Sequence, residues 1–361
     1  FALGPGRANL IGEHTDYNLG FVLPFAIDRS AVAAFRPRAD RQIRLATDFA
    51  PGVISSDLDH LDGASGWAAH PLGVVWALGE FGADLSQVNG FDLALHSDVP
   101  VGAGLSSSAA IESATALALD SMWGLGLDRP TLARVGQRAE NVVVGAPTGI
   151  MDQSASLLGE ADSAVFLDCR SLESSAIPLG LDAAGLEILV IDTRVSHAHA
   201  TGGYASRRAQ CEEGARLLGA DSLRDVGVAD LDRAKALLTD VVYRRVRHVV
   251  TENQRVLDTV EALRTSGPTG IGALLDASHV SMRDDFEISV PELDLAVETA
   301  VACGALGARM TGGGFGGSAI ALMPIERAAD AQAAIAEAFD RAGFAHPVQF
   351  EVRAVAGARL I

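Results

Sequence analysis

Lysine is almost missing from this chain: Lys235 is the only one among 28 basic residues, the rest being arginine, as the coding bias of a GC-rich genome would give. It sits in an amphipathic stretch, D-L-D-R-A-K-A-L-L, with no glycine-rich loop beside it. Walker-type P-loops and protein kinases both set a lysine on the nucleotide phosphates, so neither is present here. Cysteine is scarce too. Cys169, Cys211 and Cys303 are odd in number and far apart, which excludes a disulfide framework or a zinc cluster and fits reduced core thiols in the cytoplasm. No apolar run approaches the ~18 residues of a membrane span, and no basic segment followed by an apolar one opens the chain. Positive charge is the minority: 46 acidic against 28 basic residues leave a net −18, which excludes nucleic acid or an anionic membrane as the main partner. The chain begins at Phe1, without methionine and in a strand-like run, so further native residues are expected before it.

With 361 residues, 48% of them apolar, the chain is long enough for two packed domains of a soluble α/β enzyme. The stretch Val99–Ile111 reads V-P-V-G-A-G-L-S-S-S-A-A-I. Pro100 stiffens its entry, Gly102 and Gly104 open unusual backbone angles, and a helix is expected from Ser106 to about Ser121. Exposed N–H groups at a helix N-terminus, serine hydroxyls and the helix dipole can together hold a phosphate, while a plain glycine turn with a serine cap fits the same pattern. The strand expected over Asn89–Ser97 feeds this loop, which is the context that anion binding requires. Without a lysine, any phosphate would rest on backbone, hydroxyls and a metal.

Residues 4–24, G-P-G-R-A-N-L-I-G-E-H-T-D-Y-N-L-G-F-V-L-P, crowd Arg7, Asn9, Glu13, His14, Asp16, Tyr17 and Asn18 between glycines. The carboxylates of Glu13 and Asp16 with His14 between them can pair with neighbouring sugar hydroxyls. A capped, solvated turn or a metal site fits the composition equally. Further on, Glu140 falls near the C-terminal end of a helix expected over Thr131–Val144, where a negative charge opposes the helix dipole and invites a cation. In G-A-P-T-G-I-M-D-Q, Pro147 and Gly149 set a turn and Asp152 opens the next helix, where it could act as a simple cap.

The signature G-R-A-N-L-I-G-E-H-T-D-Y-N-L-G-F-V-L-P and the segment G-A-P-T-G-I-M-D-Q closely resemble the galactokinase family within the GHMP small-molecule kinases, and V-P-V-G-A-G-L-S-S-S-A-A resembles the phosphate loop of the whole superfamily. The resemblance continues to Met323 and through the terminal strand. It implies a two-domain GHMP kinase fold, α/β in class (α+β): a ribosomal-S5-like domain over residues 1–177 and a ferredoxin-like GHMP domain over 178–361. It implies transfer of the γ-phosphoryl group of Mg·ATP to the anomeric hydroxyl of galactose. Carried over residue by residue, Asp152 and Arg7 would be catalytic. Glu13, His14, Asp16, Gly149, Asp152 and Tyr204 would bind the sugar, with Gly102, Ala103, Gly104, Leu105, Ser106, Ser107 and Ser108 on the nucleotide. Ser108 and Glu140 would hold Mg²⁺. A sister kinase acting on N-acetylgalactosamine or arabinose, and a binding-only galactose sensor, are the alternatives.

Three segments carry a looser likeness. Trp67, at the start of an apolar helix running to about Phe81, is similar in position to an aromatic residue near the nucleotide base, though core packing explains it as well. Ser278–Asp294 resembles the same family except that Phe286 stands where tyrosine is usual. The glycine cluster within Gly304–Leu322 resembles the third GHMP motif, which implies that Gly312–Gly314 line the site. His197 and His199 lack a ligand pattern and are expected to be structural or solvent-facing. A loop is expected from Thr47 to Gly66, a helix–strand close at Ala328–Val355, and a solvated face for the arginines of V-V-Y-R-R-V-R-H-V-V. Nothing marks a dimer surface, which slightly favours a monomer.

Overall fold

The computed structural model describes residues 1–61, 63–195 and 200–361, so His197 and His199 lie outside the described residues. The first half supplies five strands of a six-stranded sheet: β1 (Ala2–Asn9), β3 (Pro24–Pro37), β4 (Gln42–Thr47), β5 (Val53–Asp57) and β6 (Phe91–Ser97). β2 (Phe21–Val22) pairs instead with β7 (Ser163–Asp168), which pairs with β8 (Ser174–Pro178). The apolar run Phe21–Ile27 therefore serves two sheets, and the chain switches between them at Leu23. Four helices cover this half: α1 (Ala69–Glu80), α2 (Ser107–Trp123), α3 (Arg129–Ala139) and α4 (Met151–Leu158). α2 lies against β1 and β3, which brings the loop before it to the ends of those strands.

The second half contains β9 (Leu186–Asp192), α5 (Ala200–Leu218), α6 (Leu231–Leu237), α7 (Asp240–Ser266), α8 (Gly272–Ser281) and α9 (Pro291–Ala302). It closes with β10 (Gly307–Thr311), β11 (Ser318–Pro324), α10 (Ile325–Ala342) and β12 (Val348–Val352). Strand order β10-β11-β9-β12 is antiparallel throughout, so β11 and β12 run parallel with β9 between them. This split βαβ unit is the ferredoxin-like arrangement that the resemblance implies, and its α10–β12 part is the helix–strand close expected at the end of the chain. A last strand, β13 (Arg359–Leu360), returns to β1 and joins the first sheet. One cluster of buried apolar side chains runs from Phe25 and Ile27 to Ile188, Val190, Ile320 and Val352, so the halves share a core.

The structure corrects or sharpens four expectations. The expected loop after Thr47 holds β5, an edge strand whose residues are exposed or half-exposed on both faces and so show no alternation to read. The glycine cluster at 312–317 leads into the buried strand β11, and a further strand, β10, stands before it. The helix around Glu140 ends at Ala139 and continues as one π-helical turn, Glu140–Val144. The arginines of V-V-Y-R-R-V-R-H-V-V are not all on a solvated face: Arg245 is buried, bonded to Gln210 and to the Asp285 carbonyl and ion-paired with Glu287, while Arg244 and Arg247 stay part-exposed and pair with Glu287 and Asp285.

Candidate active site

Arg7 is aimed by a local irregularity. The β1–β3 register shifts between Pro5 and Arg7, and such bulges re-aim a side chain. Arg7 Nε donates to Asp152 Oδ1 at 2.9 Å and Nη1 to the Gly104 carbonyl at 2.6 Å. Burial disfavours the guanidinium charge, but the carboxylates of Asp152, Glu13 and Asp16 outweigh it and raise the pKa. Asp152 stands in the first turn of α4, and its Oδ2 accepts from Ser106 Oγ. Ser106 takes up the left-handed region, φ 57°, at the N-cap of α2, and this turn sends its hydroxyl toward Asp152.

Glu13, His14 and Asp16 follow β1 in a buried loop. Glu13 Oε1 accepts from Gly312 N (2.8 Å) and Thr311 Oγ1 (3.2 Å), and burial raises its pKa against the pull of Arg309 and Arg7. Asp16 Oδ1 accepts from Tyr17 N, and burial, with the nearby Asp152 charge, pushes its carboxyl up to about 6. Gly149 is required beside it, because a Cβ there would stand 1.9 Å from Asp16 Oδ2. His14 has φ 62°, and burial holds its imidazole down to about 3. Its Nε2 faces the Gly313 carbonyl and so carries the proton, and its Nδ1 accepts from Tyr17 OH. Both ring nitrogens are thus engaged within the protein, and His14 meets the site as a ring packed on Tyr204.

These groups enclose one cavity of about 90 Å³, lined by Arg7, Glu13, His14, Asp16, Thr148, Met151, Asp152, Tyr204, Gly312 and Gly313. Every sugar-binding residue read from the sequence is here except Gly149, which stands behind Asp16. Gly312 and Gly313 are lining residues as expected, whereas Gly314 packs on Ile288. Trp67 packs edge-on against Phe49, and Phe286 is buried against His14 and His248.

The glycine loop closes one side. Ala103 and Leu105 are buried, so they can offer only backbone, and Ser318 Oγ holds the Ala103 carbonyl at 2.7 Å. Gly104 and Gly312 cross so closely that a Cβ on Gly312 would lie 2.9 Å from the Gly104 carbonyl. Ser108 Oγ donates to Glu140 Oε1 at 2.8 Å. Glu140 is buried, and burial with the Glu112 and Asp152 charges pushes it up to about 8. No arginine or lysine bonds to it among the described residues. A hydroxyl and a carboxylate needing a positive neighbour form a donor set that suits Mg²⁺, which takes oxygen ligands and keeps room for phosphates and water.

Several residues escaped the sequence reading. Thr148 Oγ1 and Gln153 Nε2 both donate to Glu140 Oε2, and Gln153 also donates to the buried Glu112. Arg309, fully buried on β10, and Glu252, fully buried on α7, hold the loop that carries Glu13. A signal existed for both: a charge inside a buried strand, G-A-R-M-T, and a charge on the apolar stripe of α7 marked by Val249 and Val256.

Residues 1–37 match the family described as the galactokinase galactose-binding signature, residues 69–160 the GHMP kinases N terminal domain, and residues 259–341 the GHMP kinases C terminal. A galactokinase of Streptomyces coelicolor is 52% identical over 98% of this chain and 92% of its own length. One of Mycobacterium tuberculosis is 46% identical over 98% of this chain and 97% of its own. The crystal structure of Lactococcus lactis galactokinase complexed with galactose superposes with a TM-score of 0.96, at 33% identity, covering 100% of this chain and 94% of that one. Methanococcus jannaschii mevalonate kinase shares the fold at TM-score 0.70 and 16% identity, over 98% of each chain.

Proposed function

Because this chain belongs to the galactokinases of the GHMP kinase family, we propose that it transfers the γ-phosphoryl group of ATP to the anomeric hydroxyl of galactose, giving galactose 1-phosphate and ADP. The observation that carries the reading is the placement of Asp152. It is bracketed by Arg7 and Ser106 on the wall of a buried cavity whose other walls are Glu13, Asp16 and Tyr204.

Glu13 and Asp16 accept hydrogen bonds from sugar hydroxyls, Glu13 through Oε2 because Oε1 is taken by Thr311 and Gly312. The Tyr204 ring and the His14 ring close the pocket, and Gly149 gives Asp16 room. Asp152 orients the anomeric hydroxyl. As the new O–P bond forms and the bond to the ADP oxygen breaks, the hydroxyl proton passes to Asp152. Phosphoryl transfer has a loose transition state, so the chain's contribution is mostly positioning and charge. Arg7 supplies positive charge beside the transferring group, and the backbone of residues 102–108 supplies N–H donors to the phosphates. Ser108 and Glu140 would hold Mg²⁺, which when bound neutralises phosphate charge.

Release of ADP measured against a panel of sugars tests this directly. Turnover with galactose, lost on chelating Mg²⁺, is expected. Preference for N-acetylgalactosamine or arabinose would move the reading to a sister kinase, and tight galactose binding without ADP would make the protein a sensor. Among the described residues no helix is long and apolar enough to cross a membrane.

A further inference from the structure

The loop that bears Glu13 belongs to the first half of the chain, yet a group of its hydrogen bonds runs to the second. Arg309 Nη1 donates to the carbonyls of Asn9 (2.9 Å) and Leu10 (3.2 Å) and lies 3.5 Å from Glu13 Oε1. Glu252 Oε1 accepts from the backbone N–H of Gly12 (3.0 Å) and Glu13 (3.4 Å). The two side chains face each other, Arg309 Nη2 3.6 Å from Glu252 Oε1, and Ser278 bridges them, donating to Glu252 at 2.7 Å and accepting from Arg309 Nε at 3.2 Å. Arg255 Nε holds the other oxygen of Glu252, and His248 Nε2 donates to the Glu13 carbonyl. Arg309 and Glu252 have no exposed surface at all.

We propose that Arg309 and Glu252 are a positioning pair for the sugar-binding step: they clamp the Asn9–Glu13 backbone from the second half, and Arg309 adds its charge 3.5 Å from the Glu13 Oε1 that Gly312 and Thr311 hold, so that Oε2 is presented to a sugar hydroxyl. A buried ion pair is weak evidence for stability, since apolar or neutral replacements of both partners are often tolerated. Four of the pair's contacts fall on backbone atoms of a single loop, and a further one falls on the carboxylate of that loop. That distribution is what fixing one carboxylate requires, and small misplacements of a binding group cost roughly 100-fold. The inference rests on reading residues 4–24 as the sugar site.

The test uses the full-length enzyme with Mg·ATP and galactose. Arg309→Met combined with Glu252→Gln removes both charges of the pair together, leaving an amide oxygen for Arg255 and leaving Arg7 as the cation near Glu13, and Ser278→Ala loosens the clamp mildly. In the double variant the galactose KM should rise by roughly 10–100-fold, with the ATP KM within about two-fold and kcat falling less than the galactose KM rises. Ser278→Ala should show the same pattern at several-fold. Arg309→Lys, which keeps the charge but not the fork, should recover only part of the loss. Folded variants with an unchanged galactose KM, or with galactose and ATP KM and kcat all moving together, would overturn the proposal. If the double variant does not fold, Ser278→Ala decides alone, and an unchanged galactose KM there counts against the clamp. Absence of galactose turnover in the parent enzyme would instead remove the sugar reading beneath it.

Discussion

Arg7 Nε and Asp152 Oδ1 stand 2.9 Å apart, joining the bulged end of β1 to the first turn of α4 across 145 positions of sequence. Each side chain has a second anchor, Gly104 O for Arg7 and Ser106 Oγ for Asp152, and both anchors lie in the glycine loop. The loop is therefore tied to the chemistry twice before any nucleotide arrives. Its register with the cavity lined by Glu13, Asp16 and Tyr204 is set by the protein alone.

The sequence assigns Ser106 to the nucleotide, whereas its hydroxyl points at Asp152. Ser106→Ala should therefore lower kcat by roughly 10–100-fold while leaving the ATP KM within about three-fold. Steady-state kinetics with ATP varied at saturating galactose reads this out. A raised ATP KM with kcat preserved would return Ser106 to the nucleotide.

Asp16 links stability to pH. Its carboxyl is moved from the ordinary 3.8 to about 6 by burial, so the folded protein holds a proton that the unfolded chain has released. The stability contributed by that proton is full below pH 3.8 and is lost as pH rises through about 6. At neutral pH the ionised side chain then costs at most about 3 kcal/mol in the unliganded enzyme. Asp16→Asn should raise Tm at pH 7.5, and the gain should shrink as pH falls toward 4, while the galactose KM rises by about 10-fold or more. Thermal unfolding across pH, with galactose kinetics on the same samples, checks both halves.

Ser108 and Glu140 predict a separable defect. Ser108→Ala and Glu140→Gln should raise the Mg²⁺ concentration giving half-maximal activity by about 10-fold or more. Galactose binding by calorimetry, with Mg²⁺ chelated and no nucleotide, should stay within about two-fold of the parent. Loss of sugar binding in these variants would mean that Glu140 supports the cavity instead.

What the sequence could show depended on whether function lay in a run or in a single side chain. Glu13, Asp16 and Asp152 sit in motif-length runs broken by glycines, where composition alone fitted a capped turn as well and the resemblance of the whole run to a family signature singled them out. Ser108 and Glu140 are 32 positions apart, and only family resemblance joined them before the structure placed them 2.8 Å from each other. Glu252 was missed because it is one polar residue among several on an amphipathic helix, and Arg309 because the stretch before the glycine cluster was read as a turn and not as the strand β10. β5 was missed for the opposite reason: an edge strand with no buried face has no alternation to find. The ferredoxin-like strand order was implied by the resemblance alone, since β9 and β10 are separated by α5 to α9, and strand pairing at that distance leaves no local pattern.

The central claim is that Asp152, fixed by Arg7 and Ser106, carries the proton and the orientation of the attacking hydroxyl. Asp152→Asn keeps the shape and the Ser106 contact but removes the charge and the proton acceptor. The decisive measurement is kcat for galactose phosphorylation by this variant, taken beside its galactose Kd. A fall of roughly 1,000-fold or more in kcat, with Kd within about five-fold of the parent, is expected. A variant that binds galactose and turns it over at near the parental rate would contradict the account.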